Sequence, residues 1–147
     1  MAANSTADSD RIVYIPSNKT FHMMPIEAHN LFNMTITIDG TIKASKRQHK
    51  WSVDSRNKIA NFIHLEEVHN FIINGEGTVD GQGYMWWIRE YISRNPHGRP
   101  KLLYIKYGTN LEFTGVKWMN SPFYHMDIQD FDGAYFHDFE IYVDAYG

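Results

Sequence analysis

Apolar residues in this chain occur in short runs with a spacing of two, separated by glycine, asparagine and aspartate. Met34, Ile36 and Ile38 alternate with polar residues, which is typical of a β-strand with one buried face. Similar runs predict strands over residues 11–15, 31–42, 102–107, 111–113, 116–119, 124–128, 134–136 and 139–143. The pattern therefore predicts a protein built mainly from short β-strands.

A glycine-rich stretch at residues 74–83 interrupts this pattern without ending it. It holds four glycines and two β-branched residues, and an apolar run at 71–73 leads into it. This combination predicts a strand, a glycine turn, a short strand and a second glycine turn. Residues 84–94 then place apolar side chains at helical spacing, which predicts a short helix that ends before Asn95-Pro96.

The segments also repeat. An offset of 23 relates three pairs of residues: Ile105 and Ile128, Phe113 and Phe136, Trp118 and Ile141. An offset of 40 places Leu65 and Ile73 on Ile105 and Phe113, and the 17 extra residues correspond to the predicted helix and its loop. Nearer the N-terminus, the segment 38–40 resembles 73–75 at an offset of 35. The residues by which this repeat exceeds the shortest one correspond to a basic loop.

These offsets predict about five turns of one unit, each with two or three short strands and glycine, asparagine or aspartate corners. The fold class expected is all-β: an incomplete right-handed parallel β-helix over residues 11–147, with a short helix near 84–94. An antiparallel β-sandwich is the alternative, because its strands have similar spacing. Residues 1–10 are small and polar, and we expect them to form a disordered tail.

Composition narrows the possible functions. The 147 residues suffice for one domain, and a hydrophobic content of 43% indicates a packed core. A net charge of -3 gives no reason to expect nucleic acid or an anionic membrane as partner. The chain has no cysteine for disulfides and no signal-peptide pattern at its start, whereas sequons at Asn4, Asn18 and Asn33 hint at a secretory history.

Two stretches have the composition of a possible site. His64 and His69 flank two glutamates, but they are five residues apart, whereas a zinc-binding helix needs two histidines four apart. Ordinary surface histidines are therefore expected. Residues 43–58 are the most basic stretch and include Trp51; they could contact an anionic polymer, although a solvated loop is the simpler interpretation.

Several motifs together resemble the polygalacturonases of glycoside hydrolase family 28, which are pectin lyase-like right-handed β-helices. The matching segments are 37–42, 73–83 with Trp86-Trp87, 99–103, and Asn120-Ser121-Pro122-Phe123-Tyr124-His125. The resemblance begins near residue 12 and continues to the end of the chain. It identifies the chain as an N-terminal fragment of such an enzyme.

This resemblance implies hydrolysis of the α-1,4 links of galacturonan with inversion, without metal or cofactor, by a secreted or cell-wall enzyme. Inversion needs an acid and a base whose carboxyl groups are roughly 6.5–9.5 Å apart. In the family these groups come from an Asn-Thr-Asp motif and an Asp-Asp pair, helped by Gly-His-Gly and Arg-Ile-Lys. None of these strings occurs in this sequence, so we expect no catalytic residue here and an inactive isolated chain.

Several other residues have side chains suited to catalysis or binding, but each also has a structural interpretation. Asp80 lies between glycines, where a carboxylate usually accepts backbone N–H bonds. Asp127, Asp130 and Asp132 cluster near His125 in the sequence, and Asp138 and Asp144 follow. Acid or base catalysis is one interpretation of these carboxylates, but solvated corner residues are expected. Trp86 and Trp87 could stack on sugars, but core packing is expected, and His125 is expected to be a hydrogen-bonded edge histidine rather than part of a subsite.

Two rival functions remain open from the sequence. The first is a non-catalytic β-helix, such as an adhesin or a polysaccharide-binding module. The second is a calcium-dependent lyase on a related helix, which would need clustered aspartate ligands that the sequence does not display.

Overall fold

The computed structural model describes residues 11–144, and strands predominate in this part of the chain. The predicted tail at 1–10 lies outside it. The strands are β1 (Ile12–Ile15), β2 (Thr20–Met23), β3 (Ile26–Ile38), β4 (Thr41–Ala44), β5 (Ile63–Asn74), β6 (Thr78–Asp80), β7 (Leu103–Thr114), β8 (Lys117–Met119), β9 (Met126–His137) and β10 (Glu140–Tyr142). Helix α1 (Tyr84–Tyr91) confirms the helix expected near 84–94, and a 3-10 helix covers Gln48–Lys50.

The strands form two parallel sheets. The first sheet has the order β1-β3-β5-β7-β9, and the second has the order β10-β8-β6-β4-β2. Every pairing between neighbouring strands of these sheets is parallel. Each strand of the first sheet is followed along the chain by a short strand of the second sheet, so the described residues form five stacked rungs. This architecture confirms the parallel β-helix, and the antiparallel sandwich is wrong.

The register between rungs confirms two of the three predicted offsets. Ile105 lies beside Ile128 and Phe113 beside Phe136, an offset of 23, while Leu65 lies beside Ile105, an offset of 40. Apolar residues therefore stack on apolar residues from one rung to the next.

The third predicted offset, 35, is wrong by two residues. Ile36 lies beside Ile73, an offset of 37. Gly77 rather than Gly75 lies over Gly40, where a Cβ atom on Gly77 would be 2.1 Å from the carbonyl oxygen of Gly40. Side chains of a strand alternate between its two faces, so registers that differ by two residues bury the same set. The hydrophobic pattern alone cannot separate them. The close approach at Gly75 does, because a Cβ atom there would be 2.1 Å from the carbonyl oxygen of Ile38, and an offset of 35 would place Ile73 at that position.

The long strands turn at two residues with positive φ, three positions apart. These pairs are Asn30 and Asn33 in β3, Glu67 and Asn70 in β5, Tyr107 and Asn110 in β7, and Asp130 and Gly133 in β9. The two strands predicted at 102–107 and 111–113 are separated by such a corner, but pairing continues on both sides of it, and they form the single strand β7. Asparagine suits these positions because it tolerates the left-handed conformation.

The second corner carries a short ladder of asparagine side chains. The Asn70 side-chain amide donates to Oδ1 of Asn33 at 3.0 Å, and that of Asn110 donates to Oδ1 of Asn70 at 2.9 Å. Gly133 occupies the corresponding position of the next rung and has no side chain to continue the ladder. Asn70 is thus both a donor and an acceptor between rungs.

The core occupies the space between the two sheets and is best sealed in the middle of the stack. Leu103, Ile105 and Trp118 are fully buried. The equivalent inward residues of β9, Met126 and Ile128, are only partly buried, because among the described strands β9 pairs on one side only. Burial therefore depends on having a rung on each side.

We predict that the hydrogen bonds of the asparagine ladder stabilise the fold, in addition to the tolerance of asparagine for a positive φ. Asn70→Ala removes two hydrogen bonds and places alanine at a φ of 51°. We expect a loss of about 2–3 kcal/mol in the free energy of unfolding, measured by urea denaturation. The control is Asn57→Ala, which has a φ of 64° outside the ladder and should lose only about 1 kcal/mol. Equal losses in the two variants would show that the ladder contributes nothing.

Candidate functional site

The outward-facing residues at the N-terminal ends of four long strands form two polar rows. In β5, Ile63 and Leu65 point into the core, so His64 and Glu66 point outward. The strand registers give the same arrangement in the neighbouring rungs. One row is Glu27, His64, Tyr104 and Asp127, and the other is His29, Glu66, Lys106 and Gln129. We call these eight residues the cleft floor.

Two chain segments form a wall beside the cleft floor. Residues 52–61 follow β4, residues 97–101 follow α1, and Phe123 lies near the latter. The backbone N–H of Ile59 donates to the carbonyl oxygen of His97 at 3.0 Å, which joins the two segments. Four residues of the floor, Glu27, His64, Glu66 and Tyr104, and the wall together line an open cleft of about 850 Å³. A cleft of this kind is where a ligand is expected to bind.

A carboxylate organises the tip of the first wall segment. Asp54 accepts hydrogen bonds from the backbone N–H groups of Lys58 and Arg56, each at 2.9 Å. These bonds, that of Lys58 foremost, together with the charge of Arg56, hold the pKa of Asp54 below its usual value. Lys58 itself makes no ion pair with any of the described residues and presents its charge to the cleft.

One end of the cleft floor joins carboxylates to imidazoles. Oε1 of Glu27 lies 2.9 Å from Nε2 of His29, and Oε1 of Glu66 lies 2.9 Å from Nε2 of His64. The second oxygen of Glu66 lies 3.5 Å from Nδ1 of His29, which links the two rungs. The ring of His64 also packs edge-on against Tyr104, with ring centroids 4.8 Å apart.

The other end of the cleft floor is held by an ion pair. The Lys101 ammonium group donates to Asp127, and the side-chain amide of Gln129 donates to both oxygens of the same carboxylate. Burial by itself would raise the pKa of Asp127, but the hydrogen bonds from Lys101 and Gln129 and the charge of Lys101 outweigh it and lower this pKa. Asp127 is therefore an ionised, positioned carboxylate.

Arg99 adds a partly exposed cation above this end. Its guanidinium group donates to the carbonyl oxygen of Pro122 at 3.2 Å and lies 4.8 Å from the centre of the Phe123 ring. Glu90 is the nearest carboxylate, at 3.6 Å. Phe123 and Tyr124 are both exposed. Planar cations and exposed aromatic rings are well suited to contact carboxylates and sugar rings.

His125 is hydrogen-bonded within the protein, as the sequence predicts. Its Nε2 accepts the backbone N–H of Ser121 at 3.3 Å, which requires that this nitrogen carry no proton. Burial lowers the pKa of His125, and a hydrogen bond to the backbone of Tyr142 opposes this only in part. The neutral ring thus bridges two parts of the backbone.

The two tryptophans hold helix α1 against the β-helix. Trp86 is buried in the core and packs edge-on against Trp51 of the basic stretch, with ring centroids 5.4 Å apart. Trp87 is partly buried, and its indole N–H donates to the carbonyl oxygen of Ser121 at 3.0 Å. The structure therefore places both rings in packing roles, as the sequence suggested.

The structure also places the other carboxylates weighed from the sequence. Asp80 is buried and accepts two hydrogen bonds from Gln82, at 2.9 and 2.7 Å. Asp130 and Asp138 lie at corners with positive φ, and Asp132 is exposed. Asp144 donates its backbone N–H to Asn120 at 2.8 Å. Of the candidate carboxylates, only Asp127 belongs to the cleft floor.

The remaining sequence candidates are dispersed. His64 belongs to the cleft floor, whereas His69 stacks on Phe32 and contacts Thr109, so the two histidines have separate partners. Within residues 11–144, no three histidine or acidic side chains are grouped so that they could hold a metal ion. No helix in this range is long and apolar enough to cross a membrane. Sequon Asn4 lies outside the described residues.

Sequence reasoning did not identify the cleft floor as a site. The pattern predicts no function for Glu27 or Tyr104, whereas Arg99 and Lys101 both lie in segment 99–103, which resembles the family. The outward positions at offsets of 37, 40 and 23 carry polar or aromatic residues in all four rungs, and this was the signal that could have found them.

Comparisons with known proteins agree on one family. The model of the family described as glycosyl hydrolases family 28 matches residues 6–146. A polygalacturonase of Cryptomeria japonica is 28% identical over 138 residues, covering 84% of this chain and 24% of that protein. A probable endo-xylogalacturonan hydrolase A of Aspergillus niger is 28% identical over 122 residues, covering 82% and 29%. The chain thus spans about a quarter of the length of these relatives.

Solved structures show the same fold. An endo-xylogalacturonan hydrolase of Aspergillus tubingensis superimposes with a TM-score of 0.78 at 20% identity, covering 92% of this chain and 36% of that one. A polygalacturonase of Erwinia carotovora gives a TM-score of 0.75 at 22% identity, covering 95% and 43%. These likenesses establish a right-handed parallel β-helix.

We predict that His125 makes stability depend on pH. Because its pKa is lowered in the folded state, the unfolded chain binds a proton that the folded chain rejects, and stability falls as the pH drops below about 6.5. His125→Asn keeps an acceptor for the Ser121 N–H but does not titrate. The variant should lose less stability than wild type between about pH 7.5 and pH 5 in urea denaturation.

The control is His22→Asn on β2, which should keep the pH dependence of the wild type. An unchanged dependence in His125→Asn would contradict the assignment.

Proposed function

The chain belongs to the glycosyl hydrolases family 28, and on this premise we propose that it forms part of an enzyme that hydrolyses the galacturonan of pectin. The names of the relatives support this substrate class, since they include polygalacturonases and endo-xylogalacturonan hydrolases. The observation on this chain that carries the proposal is the cleft, which is lined by floor residues of three successive rungs, β3, β5 and β7.

The dimensions of the cleft floor suit a polymer. Neighbouring strands lie about 4.8 Å apart, so three rungs extend for about 10 Å, which matches a segment of an oligosaccharide rather than one sugar. The cleft is open rather than enclosed and lined by polar side chains and aromatic rings. A polysaccharide can therefore lie along the stack and contact each rung in turn.

The charges of the wall suit an acidic polymer. Galacturonan carries one carboxylate per sugar, and two cationic residues line the cleft: Lys58, and Arg99, whose partner Glu90 is exposed and 3.6 Å away. Lys101 also lines the cleft, but Asp127 neutralises it. The basic stretch that the sequence left open between a solvated loop and a polymer contact thus contributes Lys58 to the proposed binding surface.

We further propose that hydrolysis proceeds with inversion and that the acid and base are supplied by residues outside these 147. The acid of such a pair needs a raised pKa so that it can protonate the leaving oxygen. The pKa values of Asp127 and Asp54 are lowered, so neither suits that role. The motifs that provide both carboxylates in the family do not occur in this sequence. The isolated chain then binds substrate without cleaving it.

The proposed substrate also indicates where the protein is located. A pectin hydrolase meets its substrate in cell walls, so we propose a secreted or cell-wall protein whose partner is the polysaccharide. No metal or cofactor enters the proposed reaction, because a carboxyl pair supplies both proton transfers.

We predict that the 147-residue chain, immobilised at low density, binds oligogalacturonides but releases no new reducing ends from polygalacturonate. Lys58→Ala removes a cleft cation that has no ion-pair partner among the described residues, and should weaken binding about threefold at low salt. Surface plasmon resonance measures the affinity, and a reducing-sugar assay measures cleavage.

Lys43→Ala is the matched control, because Lys43 lies on β4 of the second sheet, away from the cleft, and its loss should leave binding unchanged. Absence of binding to any oligogalacturonide would contradict the proposed function. Cleavage by the purified chain would contradict the proposal that its catalytic groups lie elsewhere.

A further inference from the structure

Charge is distributed unevenly along the cleft floor. Asp127 is paired with Lys101, whereas Glu27 and Glu66 are paired only with the imidazoles of His29 and His64. No lysine or arginine of residues 11–144 forms an ion pair with either glutamate. The floor therefore has one end with a compensated carboxylate and another end where compensation depends on histidine.

Lys106 follows Glu66 in the same row, but its ammonium group lies over the ring of Tyr107, 4.5 Å from the ring centre. This second end therefore holds two carboxylates that no lysine or arginine of the described residues pairs. Glu27 and Glu66 lie on adjacent strands, and both reach His29, at 2.9 and 3.5 Å. A sugar carboxylate bound directly over them would be repelled by both. Unesterified galacturonate is therefore a poor ligand at this position.

The same groups favour a sugar without charge. Carboxylate oxygens accept hydrogen bonds from sugar hydroxyls, and such bonds to a charged acceptor are stronger than those between neutral groups. Beside the carboxylates, the ring of His64 packs on Tyr104 and adds an aromatic surface. Hydroxyl-binding carboxylates next to an aromatic ring fit the hydroxyl-rich and apolar faces of a neutral sugar.

We propose that the part of the cleft over Glu27 and Glu66 selects an uncharged sugar of the pectic chain, such as methyl-esterified galacturonate. Unesterified galacturonates lie toward Arg99, which lines the cleft and whose ion-pair partner, Glu90, is exposed and 3.6 Å away. The cleft thus distinguishes partly esterified pectin from fully de-esterified galacturonan. This inference rests on the proposed function, because it assumes that the pectic chain lies along the cleft floor.

The test compares affinities of the immobilised chain for oligomers of one length at low salt and about pH 8, where unperturbed imidazole is neutral. The oligomers are de-esterified, partly methyl-esterified and fully methyl-esterified galacturonan, and a neutral galactan. The wild type should bind the partly esterified oligomer most tightly. The double variant Glu27→Gln/Glu66→Gln should bind the de-esterified oligomer about tenfold more tightly than wild type, whereas its affinity for the fully esterified oligomer should fall, because the charged acceptors for the sugar hydroxyls are lost.

Glu112→Gln is the matched control, because Glu112 is also paired with a histidine but lies beyond the corners on β7. It should leave all affinities unchanged. If galactan binds as tightly as the partly esterified oligomer, the position over Glu27 and Glu66 accepts any neutral sugar and does not recognise the methyl ester itself. That result would still support the selection of an uncharged sugar.

The inference is overturned if the double variant leaves the affinity for the de-esterified oligomer unchanged, or raises both affinities equally. Failure of every oligomer to bind the wild type would instead overturn the proposed function. Circular dichroism of each variant verifies that the fold is kept, so a loss of structure is not read as a change of specificity.

Discussion

The stacking of inward apolar side chains in a fixed register is the constraint on which the rest of the structure depends. Each inward residue lies on its counterpart one rung away, as Ile105 does between Leu65 and Ile128. Because side chains alternate along a strand, this register also fixes every outward residue. The polar rows of the cleft floor are thus a direct consequence of core packing, and Glu27, His64, Tyr104 and Asp127 share one row for that reason.

A register fixed by the core allows the segments between rungs to differ in length. Two long segments leave the second sheet after β4 and β6, and they support each other. Trp51 of the first packs on Trp86 of the second in the core, and a backbone hydrogen bond joins Ile59 to His97. The glycine-rich stretch at 74–83 therefore serves the scaffold: it brings the rungs close together and directs helix α1 outward, and its Asp80 is a buried acceptor.

The sequence predicts the scaffold well and the cleft poorly, for physical reasons. Offsets of 23 and 40 are visible because large apolar residues such as Phe113 have apolar counterparts on both sides. The offset of 37 was missed because a shift of two residues preserves the buried face. Outward residues such as Glu27 and Lys101 follow no apolar period, and the wall is formed by irregular segments whose path depends on tertiary contacts, so neither could be assigned from the pattern.

The register of the cleft floor can be measured directly, because the chain contains no cysteine. Adjacent in-register residues of a sheet lie about 4.8 Å apart, within disulfide range, whereas residues displaced by two positions lie beyond about 7 Å. Glu27→Cys with His64→Cys, at the offset of 37, should form a disulfide under mild oxidation, and His29→Cys with His64→Cys should not. Cross-linking of the second pair instead of the first would contradict the register and, with it, the arrangement of the cleft floor.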